Sequence, residues 1–175
     1  HEIKKLIREP FFDVGYSNES GLRELIQRAG GLMDQIELDV ERKIVDSFLR
    51  EVMQAHPKAT YGEVMIRAAL EQGAVDRLLL SENITDRRVS WICKSCGEEW
   101  EATQKRRSEL PVCKSCSSDD IKENQQKSMD LIDELTIIAG RTSASVTLVS
   151  MDTEEGATLY EAFGGIAALL RYPLS

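Results

Sequence analysis

Four cysteines are the residues of this chain best placed to do chemistry, and all four fall within one window of 24 residues. Cys93-Lys-Ser-Cys96 is followed, after sixteen residues, by Cys113-Lys-Ser-Cys116. A C-x2-C turn sets two thiolates on one side of a cation. A spacer of this length lets a hairpin bring the second pair opposite, which closes a tetrahedron. Four sulfur ligands leave no open position for water, so the Zn2+ that such a site takes is structural rather than catalytic. Two disulfides would suit a secreted chain, and nothing marks this one as secreted. A thioredoxin-like dithiol does not come as a matched distant pair. The expectation is one structural zinc on Cys93, Cys96, Cys113 and Cys116, with Lys94 and Lys114 placed to offset part of the negative charge that four thiolates leave.

No second chemistry competes with it. Of the two histidines, His1 is terminal, and His56 sits beside Pro57 in a polar stretch, where it reads as an exposed loop residue. Gly30-Gly31 and Gly164-Gly165 lack the surroundings of a phosphate-binding loop. Asp152, Glu154 and Glu155 fit the first turn of a helix, where the helix dipole favours carboxylates. The chain therefore reads as a binding module and not as an enzyme. Formal net charge is −8 and aromatic residues are 6%, so a broad nucleic-acid surface or a base-stacking platform is a poor fit. Residues 86–122 hold eight Lys/Arg against seven Asp/Glu, a local +1 that leaves −9 for the remainder. An acidic body suits a protein partner. The one basic run, Lys105-Arg106-Arg107, reads as a solvated loop, with a local contact to RNA phosphate or to an acidic protein face as the alternative.

These residues need a scaffold, and the remaining pattern supplies one. Residues 1–9 read as the end of a helix stopped by Pro10, and 11–16 as a short strand. A helix over 21–29 is expected to break at Gly30-Gly31, with a longer amphipathic helix over 33–54 carrying Val40, Ile44, Val45, Phe48, Leu49, Val52 and Met53 on one face. Thr60 and Glu63 form the pattern of a capping box for a helix through Glu71. Strands are expected over 74–81, 144–151 and 166–172, and helices over 128–139 and from the Asp152-x-x-Glu155 cap through Phe163. Strands alternating with helices predict a layered α/β/α sandwich with a mixed sheet. Residues 85–124 interrupt it as a small inserted zinc ribbon, whose own core would be Val89, Trp91, Ile92, Trp100 and Val112. With 42% hydrophobic residues, no apolar run of the roughly 18 that a membrane span needs and no signal peptide, a cytoplasmic protein is expected. A chain opening on His1 rather than Met reads as a piece of a longer one.

Several segments resemble one family in order. Phe163-Gly-Gly-Ile-Ala-Ala-Leu-Leu-Arg-Tyr172 is similar to the ending of the C-terminal domain of class I release factors of archaea and eukaryotes. Asp152-Thr-Glu-Glu-Gly156 resembles the segment before that ending, and Phe11-Phe-Asp-Val-Gly-Tyr16 with Glu19-Ser-Gly21 resembles the entry to the domain. Tyr61-Gly62 and Glu71-Gln-Gly-Ala-Val75 match its middle, and archaeal members carry a four-cysteine insert at this place. The resemblance implies residues 1–10 as the tail of a middle domain and 11–175 as the C-terminal, partner-binding domain. It implies docking of a translational GTPase of the elongation factor 1 alpha type and of the ribosome-recycling ABC ATPase, with the ribosome reached through the full-length protein. The family's Gly-Gly-Gln and Asn-Ile-Lys-Ser motifs do not occur in this chain. The implied docking surface falls on 21–44 and 168–172, where Glu24, Arg28, Ala168, Leu169, Leu170, Arg171 and Tyr172 are the candidate residues. The alternatives are the C-terminal domain of the rescue paralogue Pelota, and an RNA-binding module of the kind found in ribosomal proteins.

Overall fold

Leu78, Leu79 and Leu80 form an apolar run that only a strand covered on both faces can bury, and the fold is built around that strand. The computed structural model describes the backbone of residues 19–106 and 108–174, and the side chains of all of these except 28 and 31–34. The strand and helix expected within residues 1–16 lie outside the described residues. In chain order the elements are α1 (Glu19–Val52), β1 (Ala59–Tyr61), α2 (Glu63–Glu71), β2 (Val75–Ser81), β3 (Arg87–Cys93), β4 (Glu99–Gln104), β5 (Ile121–Glu123), β6 (Met129–Asp130), α3 (Leu131–Arg141), β7 (Ser145–Val149), α4 (Glu154–Phe163) and β8 (Ile166–Leu170).

The main sheet has the order β1-β8-β2-β7. Strand β8 runs antiparallel to β1 and β2, whereas β7 runs parallel to β2, so the sheet is mixed. Alternation along β2 divides the core. Val75, Leu78 and Leu80 pack with Ile66 and Leu70 of α2 and with Leu131 and Leu135 of α3. Leu79 points the other way, into a cluster with Val45 and Phe48 of α1 and Leu159 of α4. Phe163 closes this second cluster with edge-on contacts to Phe48 (5.1 Å) and Tyr61 (5.0 Å). The result is a mixed α/β fold with helices on both faces of a mixed sheet.

A second sheet, β4-β3-β5 with β6 also on β3, takes up residues 87–130. It leaves and rejoins the body at one place, where the Leu131 amide donates to the Asp86 carbonyl at 3.0 Å. None of its residues belongs to either core cluster of the body. The described residues part between Val40 and Glu41 into two compact units, the second holding both sheets. In the first, Leu22, Ile26 and Ile36 are exposed.

Four local expectations are corrected. Helix α1 runs through Gly30-Gly31 without a break. An interior glycine costs only about 1 kcal/mol, too little to end a helix of 34 residues. Thr60 caps nothing, because it lies in β1 opposite Ala168, and α2 starts behind Gly62 with no side-chain cap. The cap of α4 is Thr153 rather than Asp152, its hydroxyl accepting from the Gly156 amide at 3.0 Å. Met129 and Asp130 pair with β3, so α3 opens at Leu131 and not at Ser128.

Candidate metal centre

The cysteines lie on two copies of one turn. In the first, which follows β3, the Gly97 amide donates to the Cys93 carbonyl at 2.9 Å and the Cys93 amide to the Glu98 carbonyl at 2.9 Å. In the second, the Ser117 amide donates to Cys113 at 2.8 Å and the Cys113 amide to Ser118 at 2.9 Å. Each turn needs a left-handed residue after its second cysteine, and these are Gly97 (φ 79°) and Ser117 (φ 58°). Glycine takes that conformation freely, whereas serine is strained in it. Ser117→Gly is therefore expected to stabilise the second turn by about 0.5–1 kcal/mol, which is roughly a two- to fivefold gain in metal affinity where binding and folding are one event. Competition against a chromogenic chelator measures it, and weaker binding by the variant would count against the two-turn geometry.

The two turns face each other, with Ser95 and Ser118 hydroxyls 2.9 Å apart between them. All four sulfurs lie within 4.8 Å of one another. Cys93 and Cys116 Sγ are 3.5 Å apart, and Cys96 and Cys113 Sγ 3.6 Å apart. Disulfide sulfurs sit at about 2.05 Å, whereas a tetrahedron with metal–sulfur bonds of about 2.3 Å has edges of about 3.8 Å. The spacing fits four ligands of one ion and not two cross-links, and all four thiols are free.

Electrostatics lead to the same conclusion. The Cys93 thiol is lowered to about 6, first by the Cys96 amide and, against burial, further by that of Ser95. For Cys96 the Glu98 amide works the same way, yet the sulfurs of Cys116 and Cys93 push it up to about 12. Cys116 is also raised, its Ser118 amide outweighed by the Cys93 sulfur and by burial. One thiolate forms readily while Cys96 and Cys116 are held back by crowding, so a cation among the sulfurs is what relieves that crowding. Lys94 offsets less than its place suggests, because its ammonium pairs with Asp120 at 2.6 Å. Val89 (2% exposed) and Trp91 (5%) form the core of this sheet, while Val112 (56%) does not belong to it. Lys105 and Arg106 are exposed, as is His56, and Arg107 lies outside the described residues.

The other candidate residues are divided between the two units. Ala168 and Leu170 are buried in the main sheet and Leu169 is half-buried. Glu24 is partly exposed on α1, in the first unit, and the Arg28 side chain lies outside the described residues. Arg171 is exposed, but its guanidinium donates to the carbonyls of Gly73 (2.9 Å), Thr142 (3.1 Å) and Ser143 (3.1 Å). The Tyr172 hydroxyl donates to the Gln72 carbonyl at 3.1 Å. These are the C-terminal ends of α2 and α3, where orphan carbonyls and the helix dipole favour a cation. Arg171→Ala is expected to cost roughly 1–2 kcal/mol in denaturant unfolding, and Arg171→Lys to recover little, since an ammonium cannot fork across both ends. A neutral effect of the alanine would count against this capping role. Sequence reasoning missed a cluster of charges between the two sheets (Glu63, Arg67, Arg88, Glu134). Only Glu63 and Arg67, one helical turn apart, signal each other locally.

Residues 38–174 match the family model described as eRF1 domain 3. Peptide chain release factor subunit 1 of Archaeoglobus fulgidus is 40% identical over 172 residues, which cover 98% of this chain and 41% of that protein. The chain thus spans about two fifths of the length of such a relative. The C-terminal domain of the peptide chain release factor from Methanosarcina mazei is similar at a TM-score of 0.75 and 38% identity, over 90% of this chain and 98% of that one. A model of ribosome-bound archaeal Pelota and ABCE1 contains a chain of similar fold, with a TM-score of 0.55 at 21% identity over 95% of this chain and 36% of that one.

Proposed function

This chain belongs to the eRF1 domain 3 family, and from that premise we propose that it serves translation termination as the C-terminal, partner-docking domain of an archaeal-type class I release factor. The observation that carries the reading is 38% identity to a release-factor C-terminal domain over almost all of both chains. The Pelota alternative has the fold alone behind it, at 21% identity. Residues 1–10 are then the tail of the preceding domain and 11–175 the docking domain, interrupted near 85–124 by a zinc ribbon. Cys93, Cys96, Cys113 and Cys116 hold one Zn2+, which supplies folding free energy to the ribbon and, with four ligands, no catalysis. Decoding and peptide release belong to other parts of the full-length factor, and this domain works in the cytoplasm without chemistry of its own.

Its partners are a translational GTPase of the elongation factor 1 alpha type and the ribosome-recycling ABC ATPase. The second is supported by a domain of the same fold in a Pelota bound to the ribosome together with ABCE1. The acidic body suits protein partners better than RNA. The test is a pull-down with archaeal elongation factor 1 alpha, comparing the intact chain with one in which residues 87–130 are replaced by a short glycine bridge between Asp86 and Leu131. Both chains are expected to be retained. Retention of neither would overturn the docking role, and retention of the intact chain alone would move the surface onto the ribbon. Tight binding to ribosomal RNA fragments at about 0.15 M salt, with no protein partner present, would favour the RNA-binding alternative.

A further inference from the structure

The cluster of charges that joins the ribbon to the body is more than a surface ion pair. Glu63 and Arg67 lie on α2, Glu134 on the first turn of α3, and Arg88 and Thr103 opposite each other on β3 and β4. Arg67 donates to Glu63 at 2.8 Å and to the two oxygens of Glu134 at 2.5 and 3.1 Å. The Thr103 hydroxyl donates to Glu63 at 2.5 Å. Arg88 lies 3.8 Å from Glu63 and 3.6 Å from Glu134. Glu63, Glu134, Arg67 and Arg88 make a quartet whose side chains are only 16–23% exposed, and Arg88 also lies 3.6 Å from the more exposed Glu101 of β4. Burial works against the Arg67 charge, but its hydrogen bonds to Glu134 and Glu63 outweigh it and raise its pKa.

The two halves of the quartet are held unequally. Contacts within the body are short, whereas those from Arg88 are long, and its Nε is buried without a hydrogen bond. Of the ribbon's two contacts to the body, that of Arg88 is therefore the looser, while Thr103 holds Glu63 at 2.5 Å. Arg88 is on the same strand as Cys93, and the pairing of β3 with β4 that aligns Arg88 with Thr103 runs up to the first cysteine turn. So small a core as Val89 and Trp91 cannot hold that register without the metal.

We propose that this quartet is a latch that couples metal loading of the ribbon to the order of α2 and α3. The proposal rests on the reading of the four cysteines as a metal site. With metal, the ribbon presents Arg88 and Thr103 to the two carboxylates. Without it they withdraw, Glu63 and Glu134 are left to share Arg67, and the uncompensated charge favours local opening of the facing helix ends.

Hydrogen exchange read by mass spectrometry over residues 63–71 and 131–141 tests this, on the loaded and the chelated chain. Protection of both helices is expected to fall about tenfold on chelation, a local opening rather than global unfolding. Loaded Arg88→Met should already show the lowered protection and respond no further to chelator. Arg88→Met with Glu134→Gln should regain protection, because Glu63 and Arg67 again balance, and should still ignore the metal. Thiolate absorption with Co2+ shows whether each variant's cysteines load. Should Arg88→Met fail to load, Glu134→Gln alone makes the same test from the body, and its α3 should lose the metal response. Unchanged exchange in the native chain, or a full metal response in both single variants, overturns the latch. A native chain that gives no Co2+ spectrum would instead overturn the metal reading itself.

Discussion

Chelation of the metal should shift tryptophan emission to the red while the far-ultraviolet helix signal hardly changes. Trp91 and Trp100 are the two tryptophans of the chain, and they sit opposite each other on β3 and β4. Fluorescence therefore reports on the ribbon alone. Its buried residues include Val89, Trp91, Cys93 and Cys113, far too little apolar surface for a sheet of this size to fold unaided. Metal binding to comparable cysteine sites contributes on the order of 10 kcal/mol, so its removal should unfold residues 87–130. The body should stay folded, since neither of its core clusters borrows a residue from that segment. Opening of α2 and α3 through the latch is a smaller event, visible to hydrogen exchange and not to circular dichroism. Simultaneous loss of the helix signal and the tryptophan shift would mean that ribbon and body are one cooperative unit. Cys113→Ala should reproduce the chelated state, because three sulfurs and a lost buried ligand cannot close the tetrahedron.

Gly156→Ala should be the most damaging single change in the body. A Cβ built on Gly156 would lie 1.9 Å from the Ser150 carbonyl oxygen and 3.1 Å from the Thr153 hydroxyl. Neither neighbour can yield. Ser150 is held through its amide by Glu41 at 2.9 Å and through its hydroxyl by Glu82 at 3.0 Å. Thr153 is the cap of α4. The helix must then tilt away from β7, which loosens Leu159 in the core. A loss of about 3 kcal/mol or more is expected, or a melting point lower by roughly 6–12 °C for a chain of this size. Gly140→Ala is the control. Its Cβ meets nothing within 4 Å on the exposed face of α3, so it should stabilise by about 0.5–1 kcal/mol. A Gly156→Ala melting point within 2 °C or so of the native chain would show that the β7–α4 turn is softer than the packing indicates.

Legibility in the sequence followed the reach of the interactions. The four-cysteine cluster was readable because its members come in pairs three residues apart, and a turn that short has few ways to point two sulfurs. The alternation of strands and helices was readable for the same reason, since burial of Leu78–Leu80 or of Val45 and Phe48 imposes a period on adjacent residues. Where the sequence misled, a local signal met a longer-range competitor. Thr60 and Glu63 form a capping pattern, but pairing of β1 with β8 claims Thr60 for the sheet. Gly30-Gly31 signals a break, but a continuous helix tolerates it.

By itself, then, the sequence determined which atoms can bind a metal, the order of the elements and the family they belong to. Only the tertiary structure decided what the charged residues do. Arg171 is a docking candidate by family resemblance, and the tertiary structure adds that its guanidinium reaches carbonyls 28, 29 and 98 residues away at the ends of two helices. Arg67 and Glu134, 67 residues apart, meet only because α2 and α3 cover the same face of β2. Gly156 is indispensable because a carbonyl six residues back folds over it. In each case the deciding force acts between groups that the backbone brings together in space, and no spacing along the chain records it.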